Sequence, residues 1–296
     1  MLIKLNPLPN LIKLPIARFL ANRAINYSCF RRCLATSLFV VSSFLCCTSI
    51  VNAAEERKNF IVKPLSDKPW VFLKNYQAKY KVVSKRKTLG HASRTLSQSN
   101  QHWTLSSYAK VSKLFFTLRS NESSQFHIES ENLFPDRFYS RSKLTFKKAR
   151  IMEQKFNWET MTETGTRNKK SWQLKHKKQV FDRISHVIQL RADLLTGKQV
   201  YSYPVSAKGK IVQYTYLIEQ QETIKTKIGT LQALKLVRHK SNGDRFILWL
   251  CPDMNYFPIK IAQYEKGKPD ITLIMESFEY LAEEKQTKEQ QLSSKR

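Results

Sequence analysis

The sequence predicts a mainly β protein, a curved antiparallel sheet closing into a barrel or half-barrel, with one helix at about residues 182–196 packed on or across it. Three observations carry this. From residue 75 onward, short runs of alternating apolar and polar residues recur, the period-two signature of half-buried strands. Polar stretches of a few residues separate them, which favours antiparallel neighbours joined by short turns. The expected strands, around a dozen, also exceed what one twisted open sheet usually holds without curling.

The elements follow in order. Ala78, Tyr80 and Val82 share one face of the first strand and Lys79 and Lys81 the other; a turn at 84–88 and Gly90 then open a second strand, a hairpin pattern. Further strands are expected at 103–111, 115–119, 125–131, 143–154 and 155–162, with the polar stretch 120–124 as a separating loop, and a shorter one runs around Trp172 and Leu174. Helical spacing then takes over. Asp182 is placed to cap a helix in which Ile184, Val187, Ile188, Arg191, Leu194 and Leu195 recur at intervals of three and four, and Gly197 supplies the stop. Strands resume at 199–205, 210–222, 223–228, 231–239, 245–250, 259–264 and 271–278.

Ahead of the sheet, residues 1–53 read as a leader. Arg31 and Arg32 precede an apolar segment at 34–50, and Val51-Asn52-Ala53 supplies small residues for cleavage before Ala54 or Glu55, the pattern of a secretory signal. The segment is too short and too rich in Ser and Thr for a spanning helix, which needs about 20 predominantly apolar residues. The expected organisation is a leader at 1–53, a lead-in at 54–74, one β-rich domain at 75–281 and a disordered polar tail at 282–296. The expected location is the periplasm. Four of the five cysteines fall in the leader, so only Cys251 remains for the exported chain. That excludes an internal disulfide and clustered-cysteine zinc sites, and leaves one disulfide-linked partner at most, through Cys251. Cys251 stands at the end of an apolar strand and before Pro252, the setting of a buried structural thiol.

The formal net charge is +28 and the sequence pI about 10.0. Positive charge peaks between Arg137 and Lys178, where only Glu153, Glu159 and Glu163 oppose it. Either this is a solvated face or it meets an acidic partner. In the second case Arg137, Arg141, Lys147, Lys148, Lys169, Lys170, Lys175, Lys177 and Lys178 are the candidate anion contacts. Arg137-Phe138-Tyr139-Ser140-Arg141 interleaves aromatic with basic residues, yet no nucleic-acid motif accompanies it and export separates the chain from cellular nucleic acid, so nucleic acid is not expected.

No serine sits in a nucleophile elbow, and seven glycines offer little from which to build a phosphate loop. No two histidines stand at a local metal-binding spacing, and Asp182 with His186 reads as a cap and a helix residue rather than a ligand pair. Glu129 and Glu131 share a strand face with no third group to complete an acid-base set. No catalytic residue, metal or cofactor is therefore expected. The aromatics are spread over nearly every strand, as a packed core or a lined barrel cavity requires. In the cavity reading Tyr80, Trp103, Phe126, Trp158 and Trp249 are the candidate ligand contacts.

Ile228-Gly229-Thr230-Leu231 through Arg238, then Arg245 through Cys251-Pro252, then Tyr256-Phe257-Pro258-Ile259-Lys260-Ile261 resembles the C-terminal half of the domain of unknown function 3108 family, exported bacterial proteins. The segment from Asp182 to Arg191 is similar to that family's central part, and 78–95, with Tyr80 and Gly90, to its opening hairpin. The resemblance covers about residues 75–280. It implies a periplasmic, antiparallel β-rich fold, no established reaction and no catalytic residue. The functional expectation is a non-enzymatic envelope protein that binds an amphipathic or anionic envelope component such as a lipid, lipopolysaccharide or acidic polymer. The rival is a scaffold that docks to an envelope protein complex through a sheet edge or the basic face.

Overall fold

The computed structural model describes residues 60–265 and 268–282. The expected leader, its cleavage site and nearly all of the polar tail lie outside the described residues. Fourteen strands are described: β1 (Tyr76–Ser84), β2 (Lys87–Ser99), β3 (His102–Lys113), β4 (Phe116–Glu129), β5 (Asn132–Leu144), β6 (Arg150–Asn157), β7 (Thr162–Arg167) and β8 (Lys170–Lys175), then, after the helix α1 (His186–Leu195), β9 (Tyr201–Ser206), β10 (Ile211–Thr226), β11 (Gly229–His239), β12 (Arg245–Cys251), β13 (Phe257–Glu265) and β14 (Lys268–Tyr280). They form one sheet in the order β8-β7-β6-β5-β4-β3-β2-β1-β14-β13-β12-β11-β10-β9. Every neighbouring pair is antiparallel.

The sheet curls without closing. Its edge strands β8 and β9 share no ladder, and a short backbone bridge together with side chains seals the seam between them. Phe181, on the segment leaving β8, runs parallel to β9: its N–H donates to the Pro204 carbonyl and its carbonyl accepts from Ser206 N–H, both at 2.8 Å. Trp172 of β8 lies against Gly209 in the β9–β10 turn, and Gln154 Nε2 of β6 donates to Ser206 Oγ at 3.2 Å. The half-barrel outcome is the one realised.

Several boundaries differ from the sequence expectation, for physical reasons. The polar stretch 120–124 is the middle of the single 14-residue strand β4, because Ser120 and Ser124 point inward and are buried. Residues 132–144, where no separate strand was expected, form β5; a bulge opposite Gln125 and Phe126 breaks the alternation there. The chain turns at 145–149, inside an expected strand. Residues 210–222 and 223–228 form one strand, β10, irregular between Ile218 and Gln220.

The helix sits inside the curl. All ten of its residues are buried, polar ones included, so it is surrounded rather than laid across a face on one apolar stripe. Each fully buried Leu or Ile on it contributes about 1.5–3 kcal/mol. Its polar side chains reach outward to different strands. His186 Nε2 accepts from Tyr216 OH of β10 at 2.9 Å, Gln189 Oε1 accepts from Leu133 N–H of β5 at 3.0 Å, and Asp193 Oδ2 accepts from Tyr203 OH of β9 at 2.7 Å. Arg191 Nε donates to the Asn255 carbonyl at 3.1 Å. These contacts fix the helix's rotation, since turning it would leave buried polar groups unpaired.

In a meander the turns alternate between the two ends of the curl. The lead-in segment closes the end at the helix C-terminus: Leu65 and Ser66 N–H donate to the Leu195 carbonyl at 2.8 and 3.1 Å, and Phe72 is buried under the Arg191 guanidinium at 3.9 Å. The helix N-terminus faces the other end, where the β1–β2, β3–β4, β5–β6 and β11–β12 turns gather.

Candidate functional site

At that second end the curl keeps a cavity of about 660 Å³, within the size range of small-molecule sites. Residues of nine strands, the β11–β12 turn and the helix start line it. Strand alternation places them: Tyr80, Ala92, Ala109, Ile261, Leu273 and Phe246 bring apolar surface, and Arg94, Arg238 and Gln263 occupy inward slots on the same strands. Val187 and His186 of the helix form part of the wall, with Tyr214 and Tyr216 of β10.

The charge inside is positive. Arg94, Arg183, Arg238 and Lys240 line the cavity against one acid, Glu122, which Arg183 already engages at 3.4 Å. The Arg238 guanidinium carbon lies over Tyr214, 3.5 Å from the ring centre, with Phe246 at 5.2 Å. Aromatic faces of this kind hold a guanidinium without neutralising it. Arg238 Nε and Gln263 Nε2 are buried and donate to no group among the described residues. They stand in one cross-strand row with Phe246 between them. A buried donor without an acceptor is costly.

Several groups around the cavity are held in fixed states. Burial, with Arg238 adding to it, pushes His186 down to about 3, so its ring is neutral: Nδ1 donates to the Asp182 carbonyl at 3.3 Å and Nε2 accepts from Tyr216. Burial raises Tyr80 and Tyr216, and Tyr80 OH donates to the Pro258 carbonyl at 2.9 Å. Burial, together with Arg238, lowers Lys240. Burial also raises the Asp182 carboxyl, although its Oδ1 accepts from Ile184 and Ser185 N–H at 2.8 and 2.9 Å and its Oδ2 from Ser124 Oγ at 2.5 Å. Asp182 thus caps the turn that opens the helix.

Of the five aromatics expected to touch a ligand, Tyr80 lines the cavity. Trp103 and Phe126 pack in the core toward the closed end. Trp158 lies near that end between Phe134, Phe156 and His176, its Nε1 bonded to the Pro135 carbonyl. Trp249 alternates with Leu248 and Leu250 onto the other face of β12, where its Nε1 donates to Glu222 and Lys260 sits 4.0 Å from its ring. The nine expected anion contacts are all exposed. Lys147, Lys148, Lys169 and Lys170 stand on turns at the open end, Arg137 and Arg141 on the outer face of β5, and Lys175, Lys177 and Lys178 at the far end of β8 and beyond it. The cavity's own cations, Arg94, Arg183, Arg238 and Lys240, were not singled out from sequence. The available signal was a charge in an apolar slot, Arg94 two residues from Leu96 and Arg238 two from Leu236.

Sequence spacing also hid a cluster on the outer face near the closed end. The β3–β4 pairing brings His102 beside His127, and the β4–β5 bulge adds Asp136, with His102 Nδ1 at 3.0 Å from Oδ2 and His127 Nδ1 at 2.8 Å from Oδ1. Their ligand atoms lie within 4.8 Å of one another, which can hold a divalent cation, but each ring nitrogen is also satisfied by the carboxylate itself. Cys251 is buried and free, and burial raises its thiol.

No curated protein matches this chain. Among solved structures it is similar to a β-barrel-like protein of the domain of unknown function DUF1849 from Brucella abortus, with 12% identity, 71% of this chain and 99% of that one covered, and a TM-score of 0.52. That likeness shows a shared fold. Residues 75–273, nearly the whole described sheet, match the family described as protein of unknown function (DUF3108), and the chain belongs to that family.

Proposed function

We propose that this protein is a non-enzymatic carrier or receptor in the cell envelope whose cavity holds an amphipathic molecule with an anionic head. The observation that carries it is the set of four cations, Arg94, Arg183, Arg238 and Lys240, facing the one lining acid, Glu122, in a cavity otherwise walled largely by apolar side chains. A carboxylate or phosphate matches the charge of those cations, and a hydrocarbon or ring portion fills the space beside Tyr80, Ile261 and Leu273. The secretory-type leader in the sequence supports a location outside the cytoplasm. His186, whose two nitrogens are both spent on structural bonds, supports a binding rather than a catalytic use of the cavity.

The scaffold alternative has less support. Among the described residues β8 is the more open sheet edge, and it is six residues long with a lysine at each end, the form in which edges are protected against added strands.

The test is native mass spectrometry and organic extraction of the purified chain, followed by titration with a fluorescent fatty acid. A co-purifying acidic amphiphile, and uptake weakened about tenfold in Arg238→Gln, support the proposal. An empty chain that takes up no probe, or uptake that Arg238→Gln leaves unchanged, overturns it.

A further inference from the structure

The three most exposed large apolar side chains among the described residues are Phe146 at 88% and Leu114 and Phe115 at 85% each. They stand on two neighbouring turns. Leu114 and Phe115 form the tip of the β3–β4 hairpin and Phe146 the β5–β6 turn, and the two are tied together by Thr145 N–H on the Thr117 carbonyl at 3.0 Å and Thr117 N–H on Thr145 Oγ1 at 2.9 Å. The β1–β2 turn lies beside them, one strand further along. All three turns are at the end where the cavity opens.

Around these tips the charge has one sign. Lys85, Arg86, Lys87, Lys113, Lys147 and Lys148 are exposed on the same three turns, and stretches 84–88, 112–117 and 145–149 contain no acidic residue. The backbone adds a second, separate observation. Leu114 and Phe146 have φ of 51° and 62°, in the left-handed region that Gly and Asn occupy with least strain. Local folding therefore favours a different residue at both positions, and neither side chain gains burial in return.

We infer that this rim docks on an anionic lipid bilayer, Leu114, Phe115 and Phe146 entering the headgroup layer while the six cations meet acidic lipid. Exposed apolar tips within a ring of Lys and Arg are complementary to that surface: the cations are attracted by its charge and the aromatic tips bury in its interface. Docked this way, the cavity mouth faces the bilayer. The inference goes beyond the cavity proposal and stands on different residues, so either can fail alone.

Flotation of the full chain with vesicles tests it, using phosphatidylcholine alone and phosphatidylcholine mixed with phosphatidylglycerol. The variants are the triple Leu114→Asn, Phe115→Ser, Phe146→Asn, the pair Lys147→Glu and Lys148→Glu, and, as a charge-matched control at the opposite end, the pair Lys177→Glu and Lys178→Glu. Asn suits the left-handed positions, so the triple variant keeps its fold, checked by circular dichroism. Residues 1–59 are common to all variants, so their contribution cancels in the comparison. The expected result is binding to acidic vesicles that falls about tenfold or more in each rim variant and is unchanged in the Lys177→Glu, Lys178→Glu control, with binding to phosphatidylcholine weak throughout. Failure of the wild-type chain to float with acidic vesicles overturns the inference. Flotation insensitive to the triple variant overturns it too, because insertion of the apolar tips is its core.

Discussion

Ser124 Oγ donates to Asp182 Oδ2 at 2.5 Å, joining the middle of a 14-residue strand to the turn that starts the buried helix. The other oxygen of the same carboxyl holds Ile184 and Ser185 N–H. One side chain thus sets where the helix begins and where it sits along the curl. Asp182→Ala removes all three acceptor bonds in a buried place and is expected to cost about 2–4 kcal/mol. Asp182→Asn keeps an acceptor for the N–H groups, and since burial already disfavours the charged carboxyl, it is expected to cost about 1 kcal/mol. Urea unfolding of the two variants measures the difference; equal losses would refute this account of the cap.

The seam between the sheet edges rests on Trp172. Its Nε1 donates to the buried Glu163 Oε1 at 2.7 Å, and its ring fills the space over Gly165 and beside Gly209. A Cβ on Gly165 would stand 2.2 Å from Trp172 Cζ2. Gly165→Ala is therefore expected to destabilise by about 1–3 kcal/mol through overpacking. Combined with Trp172→Phe, which frees room, the losses should be less than additive in a double-mutant cycle. Faster hydrogen exchange confined to β8 and β9 in Gly165→Ala would locate the effect at the seam.

What the sequence disclosed depended on whether one residue's environment was set locally. The alternation of Ala78, Tyr80 and Val82 was legible because neighbouring strands repeat it, and the helix because its spacing changes abruptly at Asp182. β5 was hidden: Pro135, Asp136 and Arg137 interrupt its pattern at a bulge, and the turn after it, Thr145-Phe146-Lys147-Lys148-Ala149, has no Gly, Pro or Asn to mark it. Ser120, Glu122 and Ser124 read as loop because polar inward positions make sense only once the interior contains the polar start of a helix and a cavity. For the site, aromatic content pointed to Trp158 and Trp249, but a bulky ring does not announce which face it takes. The four cavity cations needed strand pairing to bring them together.

Among the described residues, Arg191 is a buried cation with no carboxylate partner. Its guanidinium rests on Phe72 at 3.9 Å and Phe257 at 5.1 Å, its Nη1 donates to nothing, and burial lowers it to about 10, so it stays charged at neutral pH. Keeping that charge in the core offsets much of what the ring contacts contribute. Arg191→Met, similar in length and apolar, is expected to leave stability within about 1 kcal/mol of the wild type, whereas Arg191→Ala opens a cavity and costs about 3 kcal/mol. Chemical denaturation of both variants decides it; a severe loss in Arg191→Met would mean the charge itself holds the closed end together.

His186 makes the fold acid-sensitive. Its folded value of about 3 lies below the ordinary 6.5, because burial and the nearby Arg238 oppose a proton there. Between those two values the unfolded chain takes up a proton that the folded chain refuses, so stability falls as pH drops through that window and the effect levels off below about 3. From pH 7 to pH 4 the loss from this one residue is on the order of 3 kcal/mol. Other groups titrate in the same range, so the comparison is with His186→Gln, which cannot titrate and keeps a polar group opposite Tyr216 OH. The wild type should lose more stability over that interval than the variant, by that amount. Parallel pH profiles for the two proteins would show that the histidine is protonated in the folded state, and would require the bond from Tyr216 to run in the opposite direction.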